Sequence, residues 1–133
     1  MTSRVAHTSF DCRDSYALST WWKQVLGYTD LPGDPNDPDD DECMIVDSVT
    51  GHRLLFIEVP EGKGTKNRVH LDLMATDCWR DEEVDRVVAL GATIAADRRK
   101  PDGSGWVTLE DPEGNEFCIV RSDEERARAG RPS

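Results

Sequence analysis

Two histidines, His7 and His70, have the residue type and the placement to do chemistry. Each is followed after six residues by an aspartate and, eleven or twelve residues further on, by a Leu-Gly pair. The matching residues are Asp14 and Leu26-Gly27 in the first copy, and Asp77 and Leu90-Gly91 in the second. Imidazole gains and loses a proton near neutral pH, so both histidines are candidate general acids or bases. The alternative is that either one is a hydrogen-bonded structural histidine.

The two histidines lie 63 positions apart, so two copies nearly fill the chain of 133 residues. Both copies predict the element order β-α-β-β-β, with each histidine on the first strand of its copy. The predicted first strands are Val5–Phe10 and Arg68–Met74, and the predicted helices start at Asp14 and Asp77 and stop at Gly27 and Gly91. The other predicted strands are Tyr28–Leu31, Cys43–Asp47, Arg53–Val59, Ala92–Asp97, Trp106–Glu110 and Glu116–Val120.

The fold class predicted from this order is α+β, with two tandem βαβββ modules forming a cupped mixed β-sheet. One domain spans residues 4–120, with modules at 4–60 and 67–120 joined by a connector at 61–66. A charged tail of weak helicity at best follows at 121–133, and we expect its end to be mobile. A helix covers one face of each small sheet, and we expect the two open faces to curl towards each other around one cleft.

Composition excludes several classes of function. The formal net charge is −11, which argues against a nucleic-acid partner and disfavours an anionic membrane surface. No segment approaches the roughly 20 apolar residues of a membrane helix, and the N-terminus lacks the apolar stretch of a signal peptide. We therefore expect a cytoplasmic protein whose four widely spaced cysteines are free thiols.

Strand alternation predicts the lining of the cleft in the second module. Asp72 and Met74 share the face of His70 and are expected to contact a small-molecule ligand. A buried Asp72 would need a partner for its charge, and Arg53 or Arg68 is a candidate.

The last strands of both modules supply further candidates. Glu116 and Cys118 share one face of the last strand of the second module. Leu55 and Ile57 share a face of the corresponding strand of the first module and form an apolar wall. Trp106 is either a core residue or a flat surface for an aromatic or cationic ligand.

Five stretches of this sequence resemble the vicinal oxygen chelate superfamily. They are His7-Thr8, Trp21–Tyr28, Val69–Leu73, Leu90–Ala92 and Asp111–Phe117. That superfamily includes glyoxalase I, extradiol dioxygenases, fosfomycin-resistance enzymes and bleomycin-binding proteins, and the chain looks most like its compact glyoxalase-like domain proteins. The resemblance implies the glyoxalase/bleomycin resistance/dihydroxybiphenyl dioxygenase fold and a homodimer.

The resemblance also implies a metal site. In metal-dependent members each module gives one ligand from its first strand and one from its last, and the ion polarises two neighbouring substrate oxygens. Carried over, His7 and His70 are the first-strand ligands of a divalent Zn, Ni, Fe or Mn ion. The usual last-strand carboxylate lies four residues after the turn glycine, where this chain has Cys118 in the second module and Leu55 in the first.

The expected metal ligands are therefore His7, His70 and Cys118. Glu116 is an alternative ligand, a general base or a carboxylate at the rim. Cys118 is alternatively a nucleophile or a small core residue. The same pattern also fits a metal site that is no longer used.

Two functions remain open. The first is a small-molecule lyase or isomerase acting on vicinal oxygens, with His7, His70 and Glu116 as catalytic residues; the glyoxalase I reaction itself is not expected. The second is a non-catalytic protein that sequesters a drug or metabolite, as bleomycin-binding members do. The paired histidines favour the enzyme, whereas the acidic charge and the missing last-strand ligands favour the binder.

Overall fold

Short runs of alternating apolar and polar residues form the strands of the computed structural model, which describes residues 1–129. The chain divides into two compact units, and the boundary falls between Lys63 and Gly64, within the predicted connector. The part before this boundary is called the first unit below, and the part after it the second unit.

The first unit contains a four-stranded mixed sheet and one helix. Its elements are β1 (Thr8–Cys12), α1 (Ser15–Leu26), β2 (Thr29–Asp30), β3 (Glu42–Val46) and β4 (Arg53–Glu58). The strand order is β1-β4-β3-β2, with β1 parallel to β4 and the other neighbours antiparallel. The parallel pair requires a long crossover between its strands, and α1, β2 and β3 provide it.

The second unit repeats this arrangement and adds a short helix. Its elements are β5 (Leu71–Met74), α2 (Arg80–Ala89), β6 (Thr93–Asp97), β7 (Trp106–Glu110), β8 (Glu116–Val120) and α3 (Asp123–Ala129). The strand order is β5-β8-β7-β6, and β5 is parallel to β8. The predicted fold class, α+β with two tandem βαβββ modules, is confirmed.

Both first strands begin later than the sequence alternation predicts. The β1 ladder starts where Thr8 pairs with Leu54, and the β5 ladder starts where Leu71 pairs with Phe117. Alternation alone overextends these strands because a strand also requires a partner in register. His7 and His70 therefore each lie immediately before a first strand rather than on it.

The predicted ends of α1 are confirmed. Oδ1 of Asp14 accepts a hydrogen bond from the backbone N–H of Ala17 at 3.0 Å, which satisfies one of the unpaired amides of the first turn. At the other end, Gly27 adopts the left-handed conformation with φ of 71° and donates to the carbonyl of Lys23 at 2.8 Å.

The prediction that Asp77 caps α2 is wrong. The helix begins at Arg80, and Trp79 occupies the cap position. Two carboxylates replace the expected cap: Glu82 accepts from the backbone N–H of Trp79 at 3.1 Å, and Glu125 accepts from that of Arg80 at 2.8 Å.

The tail is more helical than its composition predicts. Besides the hydrogen bond that Glu125 accepts from Arg80, the guanidinium of Arg128 lies 5.6 Å from the ring centre of Trp79. Both contacts join residues that are distant in sequence, so local composition does not reveal them. The expected mobile end concerns residues 130–133, which lie outside the described residues. Within residues 1–129, no helix has the length and apolar character needed to cross a membrane.

The cores of the two units differ in composition. In the first unit, Trp22 packs edge-on against Phe10 and Trp21, with ring centres 5.8 and 5.2 Å away. Phe10 in turn lies 5.3 Å from Phe56. The second unit has a mainly aliphatic core of buried residues: Val84, Val87, Val107, Leu109, Phe117 and Ile119.

The first residue of each helix holds the loop that precedes the third strand of its unit. In the first unit, the buried Ser15 hydroxyl donates to the carbonyl of Asp40, two residues before β3. In the second unit, the buried Arg80 guanidinium donates to the carbonyls of Gly103, Ser104 and Gly105, directly before β7. The same task is done by a single hydroxyl in one unit and by a charged group in the other.

Candidate metal and ligand site

The candidate site lies on the second-unit sheet face that carries Asp72, Cys118 and Thr108. These residues form a row across the sheet because Cys118 is in register with Asp72 on β5 and with Thr108 on β7. A concavity of about 340 Å³ lies over this row. Its lining residues are Lys66, His70, Asp72, Trp106, Thr108, Glu116, Cys118 and Val120. This volume is at the lower end of the range of small-molecule pockets.

Three potential metal ligands converge at one side of the concavity. One donor atom each from His70, Asp72 and Cys118 lies within 4.8 Å of the other two. Nε2 of His70 is 3.2 Å from Oδ1 of Asp72, and the Asp72 side chain is 58% exposed. Asp72 is thus paired with His70, and the expectation of a buried carboxylate with an arginine partner is wrong. Asp72 is exposed because β5 carries it on the face away from the core.

The third donor, Cys118, is 5% exposed. Burial raises the pKa of its thiol and the carboxylate of Asp72 acts in the same direction, while a hydrogen bond with Thr108 opposes them. The hydroxyl oxygen of Thr108 is 3.4 Å from Sγ. The thiol is therefore protonated at neutral pH unless a cation takes the place of the proton.

These donors fit a divalent metal ion. A tetrahedral ion with bonds of 2.0 to 2.3 Å has neighbouring ligand atoms roughly 3.3–3.8 Å apart. The nitrogen and oxygen of His70 and Asp72 already have nearly this separation, at 3.2 Å, and the sulfur lies within 4.8 Å of both. Three protein ligands are also the number that catalytic zinc sites use.

Glu116 also lines the concavity and is engaged by the segment that precedes β5. Both carboxylate oxygens accept from Nζ of Lys66, at 2.8 and 2.9 Å, and one also accepts from the backbone N–H of Asn67 at 3.1 Å. The amide oxygen of Asn67 accepts from the Glu116 backbone N–H at 3.0 Å. These bonds fix the segment that leads into His70, and a catalytic role for Glu116 stays a prediction.

The remaining part of the face is apolar. Val120 is in register with Met74 on β5 and with Trp106 on β7, so the three side chains form a second row beside the donor row. The Trp106 side chain is 44% exposed, and Met74 is also exposed. Trp106 is therefore a surface of the concavity rather than a core residue, and its role in ligand binding stays a prediction.

The first unit carries the other predicted site residues. His7 is exposed and directly precedes β1. Leu55 and Ile57 share the β4 face opposite the buried Leu54 and Phe56, as predicted. The proposed roles of these three residues stay predictions.

The sequence patterns did not predict that Asp72 lies beside Cys118 or that Thr108 contacts Cys118. The alternation signal placed Asp72 on the face of His70, but it did not show which residue of the last strand lies beside it. That neighbour is fixed by the parallel register between β5 and β8, which no local pattern encodes.

A family model described as a glyoxalase-like domain matches residues 7–120. The chain belongs to the glyoxalase-like domain family. This match confirms the resemblance to the vicinal oxygen chelate superfamily drawn from the sequence motifs. No curated protein matches this glyoxalase-like protein in sequence.

Solved structures share the fold of this glyoxalase-like protein at low sequence identity. One is a mutant of the fosfomycin resistance protein FosX from Listeria monocytogenes, complexed with Mn(II) and 1S,2S-dihydroxypropylphosphonic acid. It is 16% identical with a TM-score of 0.69, and the match covers 98% of this chain and 100% of that one. Another, FosX from Mesorhizobium loti, is 15% identical with a TM-score of 0.65, covering 96% and 99%. A glyoxalase/bleomycin resistance protein/dioxygenase family enzyme from Burkholderia phytofirmans PsJN is 21% identical with a TM-score of 0.62, covering 86% and 94%.

Proposed function

We propose that this glyoxalase-like protein binds a small molecule through two neighbouring oxygens and acts on it as a lyase or isomerase. The observation that carries the proposal is the convergence of His70, Asp72 and Cys118 at one side of a concavity of about 340 Å³. The FosX complex supports it, because that relative holds Mn(II) together with a vicinal diol.

His70, Asp72 and Cys118 would hold a divalent ion. When bound there, such an ion supplies Lewis-acid polarisation of two adjacent substrate oxygens. Thr108 orients the sulfur of Cys118 through its hydroxyl. The flat face of Trp106 contacts the apolar part of the small molecule.

Glu116 is the carboxylate best placed to accept a proton from a bound substrate. Lys66 must first release it, since Lys66 engages both of its oxygens. The Lys66 side chain is 76% exposed, so it can swing into solvent, whereas the Glu116 side chain is 12% exposed. A substrate that displaces Lys66 therefore takes its place as the partner of the carboxylate.

A second candidate function is sequestration without catalysis. The engaged Glu116 carboxylate favours sequestration. Among the described residues that line the concavity, Glu116 is the only acid outside the donor cluster, and Lys66 neutralises its charge. The exposed Trp106 also favours it, since aromatic surfaces retain flat or cationic ligands.

Two measurements on the metal-loaded full chain test the proposed function. Catechol carries adjacent hydroxyls and its isomer resorcinol does not, so catechol is expected to bind at least about tenfold more tightly. Equal affinities for the two isomers would show that vicinal oxygens are not recognised.

The second measurement separates the enzyme from the binder. A base that removes the proton beside a carbonyl exchanges that hydrogen for solvent deuterium in an α-hydroxyketone, which proton NMR detects. We expect exchange that is lost in Glu116→Gln, while catechol binding persists. Binding without any exchange supports sequestration instead. The homodimer and the cytoplasmic location stay predictions.

A further inference from the structure

We infer that the second unit by itself supplies a thiolate-containing metal centre, with Asp72 as the third ligand and a preference for zinc over manganese. The inference shares the site of the proposed function but concerns only the donor set and its ion. It differs from the arrangement that the sequence resemblance implies, in which His7 of the first unit is a ligand.

The backbone of the second unit brings the three donors together. His70 and Asp72 are two residues apart at the start of β5, and Cys118 is the register partner of Asp72 on β8. Residues directly opposite on neighbouring strands are the closest side-chain neighbours in a sheet. The site therefore needs only one strand pair to form, and every ligand is supplied by that pair or by the residue before it.

In this set of three ligands, Asp72 takes the place that the sequence resemblance assigned to His7 of the first unit. The corresponding row of the first unit is Ser9, Leu55 and Met44, from the register of β1, β4 and β3. Leu55 has no donor atom and Met44 has only a thioether, so, apart from the Ser9 hydroxyl, this row offers no carboxylate or thiolate of the kind that Asp72 and Cys118 provide beside His70.

The chemistry of the donors determines the ion. A thiolate and an imidazole are soft and borderline ligands, which suit zinc, whereas manganese prefers carboxylate and water oxygens. The hydroxyl of Thr108, 3.4 Å from Sγ, is placed to donate a hydrogen bond to the bound thiolate. Such outer contacts orient a ligand and typically change metal affinity by about 10–100-fold when removed.

Cobalt substitution tests the thiolate directly. The Co(II)-loaded full chain is expected to show a sulfur-to-cobalt charge-transfer band in the near ultraviolet. The band should disappear in Cys118→Ser and persist in the matched control Cys78→Ser, since Cys78 lies outside the donor cluster. A band that is absent from the unmodified protein, or that survives in Cys118→Ser, overturns the inference.

Metal competition tests the ligand set and the preference. We expect Asp72→Asn and His70→Ala each to weaken zinc binding by more than about 100-fold, Thr108→Val by about 10–100-fold, and His7→Ala to have no effect. Cys118→Glu should lower the ratio of zinc to manganese affinity at least about tenfold, because a hard carboxylate replaces the sulfur. Asp72 is exposed, so its variant is expected to fold, and thermal unfolding checks this for every variant. If His7→Ala weakens zinc binding as much as His70→Ala, or if Cys118→Glu leaves the ratio unchanged, the inference is wrong.

The outcomes separate this inference from the proposed function. A cobalt–sulfur band without preference for catechol keeps the metal centre and rejects recognition of vicinal oxygens. A preference for catechol without the band keeps the proposed function and rejects the thiolate ligand.

Discussion

The two units of this protein share one backbone arrangement but present different side chains at equivalent positions of their sheets. In both, a histidine directly precedes the first strand, and the last strand lies parallel to it with matching register. The row across the second-unit sheet is Asp72, Cys118 and Thr108, whereas the first-unit row is Ser9, Leu55 and Met44. The topology therefore produces an equivalent row in each unit, and of the two rows the second-unit row is the one that carries a carboxylate and a thiol.

The tryptophans follow the opposite division. Trp21 and Trp22 are buried in the first unit, whereas Trp79 and Trp106 are exposed in the second, at 39% and 44%. The tryptophans thus belong to the core of the first unit and to the surface of the second, whose core contains Phe117 as its aromatic residue among the described ones.

Removing the central aromatic of the first unit is expected to have the largest effect on stability. Trp22 is fully buried, and replacing such a residue by alanine typically costs about 3–5 kcal/mol. Trp22→Ala should lower the free energy of unfolding by this amount in urea titrations. The matched variant Trp106→Ala should change it by only about 0.5 kcal/mol. Equal losses of unfolding free energy in the two variants would contradict the assignment of Trp22 to the core of the first unit and of Trp106 to the surface of the second.

The loop anchors should differ in strength. Arg80→Met removes charged hydrogen bonds to three carbonyls and is expected to destabilise the protein by about 1.5–3 kcal/mol. Ser15→Ala removes the neutral bond to the carbonyl of Asp40 and a weak one accepted from Sγ of Cys43, and it is expected to cost about 0.5–1.5 kcal/mol. Urea unfolding measures both, and a larger loss in Ser15→Ala would contradict the ranking.

Two substitutions can introduce the carboxylate and the thiol of the second-unit row into the first-unit row. The double variant Ser9→Asp, Leu55→Cys places the donors of the second unit beside His7 and should raise bound zinc from one equivalent to two. At a zinc concentration ten times the new Kd, the added site should stabilise the protein by about 1.4 kcal/mol. Leu55→Cys alone serves as the control, because it lacks the carboxylate. If the double variant binds only one equivalent of zinc, the topology of the unit together with these donors is not sufficient to form a metal site.

The smallest expected effect concerns acid stability at the edge strands. Asp97 at the end of β6 is hydrogen-bonded by Arg99, which lowers its pKa from 3.8 to about 2. Because the folded value is depressed, the carboxylate stabilises the protein above pH 3.8, and this contribution is lost as the pH falls towards 2. At the end of β2, burial raises the pKa of Asp30, but bonds from Lys23 and Asn36 outweigh it and lower the net value.

Both aspartates should therefore contribute to acid unfolding in the same direction. Asp97→Asn should make the free energy of unfolding less dependent on pH between about 4 and 2, as urea titrations across that range would detect. An unchanged slope would mean that Asp97 contributes nothing in this window.

Much of the fold follows from local sequence. Asp14 and Gly27 mark the ends of α1 because capping depends on near neighbours, and the bounds of β7 and β8 match the alternation. The Asp77 cap was wrong because Glu125 satisfies the start of α2 from a distance. For the candidate site, alternation placed Asp72 on the face of His70 and Glu116 on the face of Cys118, but the pairing of Asp72 with Cys118 depends on parallel register. Sequence separation hides such contacts.

The hydrogen bond that the backbone N–H of Arg80 donates to Glu125 also has a consequence for synthesis of the chain on the ribosome. The N-terminal cap of α1 comes from Asp14, which leaves the exit tunnel just before the helix itself. The first amide of α2 waits for a carboxylate 45 residues further along. The start of α1 can therefore be capped as soon as its own segment has emerged, whereas the start of α2 acquires this contact only after Glu125 has been translated.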